Sequence, residues 1–434
     1  MKASYLLTLA PCAVAAVKHY ASAQSPLGNT KSCLWRPPPP LGLACGVDEV
    51  DLSLPQKSQA TEDETSSSKS RNNNRTVEPT KSIWEGPVDC LSSYCIFFNS
   101  GFANGRGIVA ITTTANVDKL KSIDVAITSS HDTTVTGDAY TVSEVAGKGL
   151  GMIASTPLRR GDTIMQKTPA LLVHRGFLES IPPSQAQRNL LDAAAELIPS
   201  PLKEGFFDQM AHMGGQVHKI VDIMGTNSFQ MDLGGQDGHH YGNYPEVSRY
   251  NHDCRPNVVF YIDKETLMHT TTVVRQVKPG EELTISYLDP LKPRAHRRHR
   301  AHLAWGFGCA CPQCSLPDKE ADKSDERLEE IARIEAQLAD IYDKKVNVKM
   351  LKRLAALYEE ERLEAKVANG YTMIALNANM LGQEKMAKEY AARAREAVLL
   401  EHGPADTGGD AAAMADLARD PKGHFTWRAR INTR

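Results

Sequence analysis

Two polar segments contain the residues best suited to chemistry. In the first, an amide, an imidazole and a thiol occur within four positions, at Asn251, His252 and Cys254. An apolar run at 258–262 follows and is typical of a buried strand. The second segment is a strand that follows a Pro-Gly turn and ends at Tyr287. A core built only for packing rarely combines such side chains, so the two segments indicate a functional site beside two strands.

Three more thiols occur within six positions, at Cys309, Cys311 and Cys314. Zinc in structural sites prefers four tetrahedral ligands and is often held by thiolates. Cys254 is the candidate for the fourth ligand. We therefore predict one zinc ion that joins the segment around Cys309 to Cys314 (the tail) to the segment that contains Asn251 and His252 (the Asn-His segment). Zinc binding would be coupled to folding of the tail. A disulfide between two of the close cysteines is the alternative.

Length and charge exclude few classes of protein. A chain of 434 residues is long enough for two or three domains. Its formal net charge of -2 gives no overall bias toward nucleic acids or anionic membranes. A basic run at 292–300 suits a nucleic-acid or nuclear-import patch, but a solvated helix face is favoured, with Leu303 and Trp305 packed behind it. After the N-terminus, no stretch reaches the roughly 20 apolar residues that a membrane helix needs.

The N-terminal part conflicts with the zinc site over the cellular compartment. Residues 1–23 combine Lys2, an apolar run and a small-residue motif, which predicts a secretory signal peptide; a misassigned start or a short core helix is the alternative. Residues 24–88 are predicted to be a disordered linker. Two disulfides would suit secretion, whereas zinc thiolates suit the nucleus or cytoplasm. The cysteines available for disulfides are Cys33, Cys45, Cys90 and Cys95.

Changes in hydrophobic spacing divide the rest of the chain into units. Short alternating strands give way to helical spacing at Leu190, Leu191 and Ala194, and strands then return. The final helices, for which Ser324 is the predicted first cap, resemble a tetratricopeptide-type pair. The predicted units are an N-terminal extension (89–139), a strand-rich domain (140–290) with a helical insert (about 176–226), a cysteine-rich segment (291–316) and a helical C-terminal region (324–427). The fold class is therefore α+β.

Together the motifs resemble the SET domain and post-SET segment of protein-lysine methyltransferases. The resemblance covers about 140 to 316, and all five motifs occur in the family's order. The helical insert, the NSF element and the helical C-terminal region look most like the SET-and-MYND branch, without its MYND zinc module. The nearer likeness is to fungal SET proteins. The motifs are GKGLG at 147–151, NSF at 227–229, YPEVSRYNHDCRPN at 244–257, PGEELTISYLD at 279–289 and WGFGCACPQC at 305–314.

The resemblance implies a set of cofactor contacts and one catalytic residue. Tyr287 falls on the family's catalytic tyrosine. Asp253 stands where the family more often has Ser, and adds a charge beside the cofactor. The expected fold is a SET-type arrangement of small sheets with a helical insert, a zinc-bound post-SET tail and a helical C-terminal region. The residues expected to contact S-adenosylmethionine are Lys148, Gly149, Leu150, Gly151, Asn227, Ser248, Asn251, His252 and Phe307.

The implied activity is methyl transfer from S-adenosylmethionine to a lysine of a protein substrate, histone or non-histone. The target amine must be neutral, although the pKa of lysine starts near ~10.4. Burial in an apolar channel and a nearby sulfonium charge both lower that pKa. Orientation and electrostatic preorganisation would then supply most of the catalysis. The alternative is a non-catalytic SET scaffold whose C-terminal helices bind partners. Membrane binding is not expected, and nucleic-acid binding is expected to be absent or indirect.

Overall fold

A computed structural model describes residues 83–123, 138–235, 237–404 and 410–432. The predicted signal peptide, Cys33, Cys45 and most of the predicted linker lie outside these ranges. The last six residues of that linker are described, and there Glu85 exchanges two backbone hydrogen bonds with Phe98, of 2.8 and 3.0 Å. Within the described ranges, no helix is both long and apolar enough to cross a membrane.

The strands of the described ranges form three sheets. The first has the order β1-β2-β3-β7-β9-β8, the second β10-β13-β5-β4 and the third β11-β12-β6. These strands are β1 (Cys90–Leu91), β2 (Tyr94–Asn99), β3 (Ile108–Thr112), β4 (Tyr140–Val145), β5 (Gly149–Ala154), β6 (Thr163–Lys167), β7 (Leu171–His174), β8 (Ser228–Asp232), β9 (His239–Asn243), β10 (Asn251–His252), β11 (Val258–Ile262), β12 (His269–Val273) and β13 (Glu282–Ile285).

Helices cover the first sheet and form the C-terminal region. Short 3-10 turns occur at Val247–Arg249 and Glu364–Lys366. The α-helices are α1 (Phe102–Gly105), α2 (Thr114–Lys121), α3 (Arg175–Glu179), α4 (Gln185–Glu196), α5 (Ser200–Phe207), α6 (Lys219–Asn227), α7 (Arg294–Trp305), α8 (Asp318–Ala339), α9 (Val348–Glu360), α10 (Ala368–Met380), α11 (Glu384–His402), α12 (Asp410–Arg419) and α13 (Ala429–Asn432). The mixed α+β class predicted from the sequence is confirmed.

The N-terminal extension shares a sheet with strands that follow it in the chain. All five residues of β3 are buried, so its backbone N–H and C=O groups need hydrogen-bond partners within the protein. It pairs antiparallel with β2 and parallel with β7, where Val109 lies opposite Leu171. A disulfide joins Cys90 to Cys95 across β1 and β2. The extension is therefore continuous with the sheet that supports the helical insert.

The helical insert packs on this six-stranded sheet. Ser184 caps α4 by accepting a hydrogen bond from the Gln187 amide, at 3.1 Å. Leu190, Leu191 and Ala194 are buried in one cluster with β3 and β7, as their helical spacing predicted. The insert thus fixes the position of α6, whose C-terminal end reaches the candidate site.

The C-terminal helices begin earlier than predicted and pack against the strands near the site. The first of them, α8, starts at Asp318 after Pro317, with acidic residues in its first turn. Ser324 is therefore not a cap but a buried residue inside α8. Leu400 of α11 packs against Val259 on β11 in a small apolar cluster. The C-terminal region is thereby attached to the strand that follows the Asn-His segment.

An unpaired buried histidine should make the stability of this core depend on pH. His269 is fully buried among Phe229, Tyr244 and Phe260, and neither ring nitrogen reaches another described residue as a hydrogen-bond partner. Burial lowers its pKa to about 3. Below pH ~6.5 the unfolded chain binds a proton here that the folded chain does not. The free energy of unfolding should therefore decrease as the pH is lowered below ~6.5. This residue contributes a loss of up to about 1.4 kcal/mol per pH unit.

His269→Leu should remove this dependence. Unfolding in urea between pH 7 and pH 4 would measure it, and the variant should lose stability less steeply than the wild type over that range. His299→Leu, on the exposed face of α7, is the matched control and should leave the slope unchanged. Parallel curves for the wild type and His269→Leu would contradict the prediction.

Candidate active site

The two polar segments meet through a short parallel strand pair. Strand β10 pairs with β13, and His252 lies opposite Ile285. Tyr287 follows the end of β13 by two residues, and its backbone N–H donates to His252 Nδ1 at 3.1 Å. The centroids of the His252 and Tyr287 rings are 5.3 Å apart. The structure therefore brings together the histidine and the tyrosine that the sequence singled out.

Tyr287, whose ring lies beside that of His252, also lines a cavity of about 370 Å³. Its hydroxyl donates to the carbonyl oxygen of Tyr250 at 2.5 Å. Its ring lies 5.4 Å from the ring of Trp305 and 6.4 Å from that of Phe307, measured between centroids. The cavity is lined mainly by β11, by the segment after Tyr287 and by residues of the C-terminal region. Tyr287 thus lies between the tail aromatics and an open cavity.

The His252 ring is neutral and its orientation is set by the protein. Burial lowers the pKa of His252 to about 4. A neutral ring that accepts the Tyr287 amide at Nδ1 carries its proton on Nε2, which lies 3.3 Å from Cys254 Sγ. Both ring nitrogens are therefore engaged by protein groups. The Phe307 ring lies 6.0 Å away, so the face of the imidazole borders the predicted cofactor region.

Asn251 is held against the glycine-rich turn between β4 and β5. Its side-chain Nδ2 donates to the Leu150 carbonyl at 3.2 Å and to Glu282 Oε1 at 3.0 Å. Lys148 Nζ lies 2.6 Å from the other oxygen of Glu282. Glu282 is a residue that the sequence argument missed, although it lies in the PGEEL motif. It fixes the orientation of both Asn251 and the turn.

The turn requires glycine at two positions for different reasons. Gly149 has φ +76°, a conformation that L side chains rarely adopt. At Gly151 a Cβ atom would lie 2.7 Å from Asn251 Nδ2 and 2.7 Å from Val145 Cγ2. Between them, Leu150 leaves 45% of its surface exposed although it is apolar. A close-packed backbone therefore lies beside an exposed apolar side chain at the segment predicted to contact the cofactor.

Asn227 and Ser248 form their side-chain hydrogen bonds away from the other candidate residues. Asn227 ends α6, and its Nδ2 donates to the Met210 and Ile223 carbonyls at 2.8 and 2.9 Å. Ser248 donates to the Pro245 carbonyl at 2.6 Å. The end of α6 is nevertheless joined to the site, because Trp305 Nε1 donates to the Thr226 carbonyl at 3.1 Å. The contacts predicted for Asn227 and Ser248 stay predictions.

The four candidate zinc ligands converge. Their Sγ atoms all lie within 4.8 Å of one another, and all four residues are buried. Cys254 Sγ is 4.0 Å from Cys309 Sγ and 3.6 Å from Cys314 Sγ. Tetrahedral zinc with Zn–S bonds of ~2.3 Å places its sulfur atoms roughly 3.8 Å apart. The four thiols, Cys311 included, therefore fit one zinc ion.

Arg297 is the exception to the solvated face predicted for the basic run. It is 1% exposed and lies in α7 beside the thiols of Cys254 and Cys314. Four thiolates around Zn²⁺ carry a net negative charge, which a buried guanidinium partly offsets. Leu303, predicted to pack behind the helix, is 58% exposed instead, whereas Trp305 is buried as expected. One arginine of this basic helix therefore lies on the buried face, beside the cysteines.

Asp253 is also partly enclosed. Burial, together with the nearby Cys311 charge, raises its pKa to about 6. One oxygen accepts the backbone N–H of Arg255 at 2.8 Å. The Asp253 carboxylate therefore stabilises the turn between Cys254 and β11. The sequence argument had expected only a charge beside the cofactor.

The sequence was compared with models of known protein families and with curated proteins. Residues 149–288 match the family model described as the SET domain. The chain contains a SET domain. The matched residues lie inside the predicted 140–290 unit and include the Asn-His segment, Tyr287 and the glycine-rich motif from Gly149 onward.

Curated relatives of the SET domain match a short part of the chain. They include a SET and MYND domain-containing protein of Dictyostelium discoideum, 40% identical over 80 residues, or 18% of this chain and 15% of that protein. N-lysine methyltransferase SMYD2 of Homo sapiens is 35% identical over 80 residues, 18% of each protein. Histone-lysine N-methyltransferase SMYD3 of Mus musculus is 40% identical over 81 residues, 19% of this chain and 18% of that protein.

These matches confirm the resemblance to SET-domain lysine methyltransferases that the motifs indicated. The chain matches less than a fifth of the length of these relatives. The activities in the names of these relatives are therefore properties of those proteins. The activity of this chain needs an argument of its own.

Proposed function

We propose that the protein transfers a methyl group from S-adenosylmethionine to a lysine side chain of a protein substrate. The observation that carries the proposal is the position of Tyr287. It contacts the His252 ring and lies near Phe307, and it also lines the cavity beside β11. A methyl donor held on one side of this tyrosine and a lysine held on the other would meet at its hydroxyl.

The residues on the cofactor side suit a charged, partly apolar molecule. S-adenosylmethionine, when bound, supplies a methyl group activated by a sulfonium charge. The turn of Lys148, Gly149, Leu150 and Gly151 would line its methionine end, and Asn251 would hold its polar groups. The ring faces of His252 and Phe307 would pack beside the adenine, with Asn227 and Ser248 as further predicted contacts.

The residues on the cavity side suit a neutral lysine amine. Val258, Phe260 and Met231 are among its apolar walls. Removal of the ammonium group from water lowers the lysine pKa and favours the nucleophilic, unprotonated amine. The Tyr287 hydroxyl donates a hydrogen bond to the Tyr250 carbonyl, so toward a substrate N–H group it would act as an acceptor. Tyr287 would therefore orient the amine toward the donor methyl group.

The zinc would act on structure alone. A site closed by four thiolates has no open position for a substrate or water. Cys309, Cys311 and Cys314 follow Phe307 directly, so their attachment to Cys254 would hold the Phe307 ring beside His252. The zinc thereby supports the cofactor region without taking part in methyl transfer.

Two measurements on the full-length protein test the proposal. Titration calorimetry should detect binding of S-adenosylmethionine. Incubation with S-[methyl-³H]-adenosylmethionine and either core histones or a cell-protein pool, followed by acid hydrolysis, should yield labelled methyllysine. Binding without methyllysine in any substrate pool would contradict the proposed reaction. A folded protein that binds no S-adenosylmethionine would favour the non-catalytic scaffold instead.

A further inference from the structure

One carboxylate of the C-terminal region is buried against both parts of the zinc site. Glu361 immediately follows α9, and its side chain is 0% exposed. It accepts hydrogen bonds from Ser324 at 2.7 Å and from Arg327 at 2.6 Å, both on α8. These bonds attach it firmly to the helical region. Its remaining partners, Arg255 and Gln313, belong to the segments that carry the cysteines.

The first partner, Arg255, follows Cys254 in the chain. Its Nη2 lies 2.6 Å from Glu361 Oε2, and its Nε donates to the Glu361 carbonyl. Its Nη1 donates to the Cys254 carbonyl at 2.8 Å and to the Pro290 carbonyl at 3.1 Å. Pro290 ends the short segment that begins at Tyr287. One guanidinium therefore holds the Cys254 loop and the Tyr287 segment against the C-terminal region.

The second partner, Gln313, lies between Cys311 and Cys314. Its Nε2 donates to Ser324 Oγ at 2.7 Å and to Glu361 Oε2 at 3.3 Å. Its Oε1 accepts from Arg362 at 3.1 Å. The same carboxylate oxygen thus bonds a neighbour of Cys254 and a neighbour of Cys314, although these cysteines are 60 positions apart.

We propose that Glu361 is a positioning residue that sets the distance between Cys254 and the Cys309–Cys314 group, and so controls how firmly zinc is held. The inference rests on the zinc site of the proposed function, but it does not depend on methyl transfer. Groups that orient metal ligands typically alter metal affinity when they are replaced. Arg255 supplies the geometry, because a planar guanidinium donates to several carbonyl and carboxylate oxygens at once.

Stability alone is a weaker explanation for this buried pair. The free-energy cost of removing two charges from water often exceeds the energy of their attraction. Well-packed apolar residues can often replace such pairs without loss of stability. Apolar side chains could not, however, donate to the Cys254 and Pro290 carbonyls. The pair therefore contributes a fixed geometry that packing cannot reproduce.

The test is the rate of zinc release from the full-length protein without cofactor. After addition of a chelating dye, Glu361→Gln should release zinc roughly tenfold faster than the wild type. Glu335→Gln is the matched control, because this half-buried glutamate of α8 accepts hydrogen bonds from Tyr358 and Asn369 rather than from residues beside the cysteines. It should lower the thermal midpoint of unfolding without changing the release rate.

Arg255→Lys keeps the buried charge and guards against a Glu361 variant that does not fold. A lysine cannot reach Glu361, Cys254 and Pro290 together, so this variant should also release zinc faster. Wild-type release rates in folded Glu361→Gln or in Arg255→Lys would overturn the proposal. Equal acceleration in Glu335→Gln, or a wild-type protein purified without zinc, would overturn it as well. Absence of methyl transfer in a wild-type protein that holds zinc, with faster zinc release in Glu361→Gln and Arg255→Lys, would instead count against the proposed reaction alone.

Discussion

Tyr287→Phe is expected to reduce methyl transfer at least about a hundredfold, the scale seen when one preorganised polar group is removed from an active site. The substitution keeps the ring that contacts His252 and Trp305 but removes the hydroxyl that Tyr250 orients. Binding of S-adenosylmethionine should change little, because the predicted cofactor contacts lie on other residues. The loss should therefore appear in the turnover rate measured with labelled methyl donor.

Tyr371→Phe is the matched control for this experiment. Tyr371 lies in α10 of the C-terminal region, where its ring contacts Tyr390, and it is not one of the residues that line the cavity. This variant should methylate at the wild-type rate. Equal activity of Tyr287→Phe and the wild type would remove Tyr287 from the mechanism.

Cys254→Ser is expected to lose most of the bound zinc. A serine hydroxyl is a poor zinc ligand, and three thiolates would hold the ion less tightly than four. Because zinc binding and folding of the tail are coupled, the thermal midpoint should also fall. Phe307 would lose its fixed position beside His252, so S-adenosylmethionine should bind more weakly. Metal analysis after dialysis and titration calorimetry measure these two effects.

The double variant Cys90→Ser/Cys95→Ser separates this effect from general loss of cysteine. Those two residues form a disulfide across β1 and β2, in a different part of the fold. The double variant should retain zinc and bind S-adenosylmethionine as the wild type does. Full zinc content in Cys254→Ser would show that the fourth ligand, and its coupling to the cofactor region, are wrongly assigned.

The central part of the site could be predicted because its signals are local and chemically specific. Three cysteines within six positions left one tetrahedral position vacant, and Cys254 fills it in space. The two polar segments were predicted to form one site, and β10 and β13 are adjacent, although β13 ends at Ile285 and not at Tyr287 as predicted. In each case a few neighbouring residues determined both the local structure and the chemistry.

The features that were missed depend on partners far away in the chain. No local pattern indicates that Arg255 pairs with Glu361, since an arginine before proline is usually solvated. The same holds for Arg297, whose helical neighbours form an ordinary basic face. Ser324 resembled a helix cap because its own segment has a cap's composition, yet α8 begins at Asp318. Burial of a polar side chain is decided by the partner that compensates it, which spacing alone does not reveal.

The separation between Arg255 and Glu361 has a consequence for synthesis of the protein. They lie 106 positions apart, so the ribosome needs roughly 5 to 20 seconds to reach Glu361 after it has added Arg255. Strands β11 to β13 and the three tail cysteines are added during that interval, while Arg255 has no Glu361 to pair with. A nascent or truncated chain that stops before Glu361 therefore exposes an incompletely assembled metal loop, which makes it a target for chaperones and proteases.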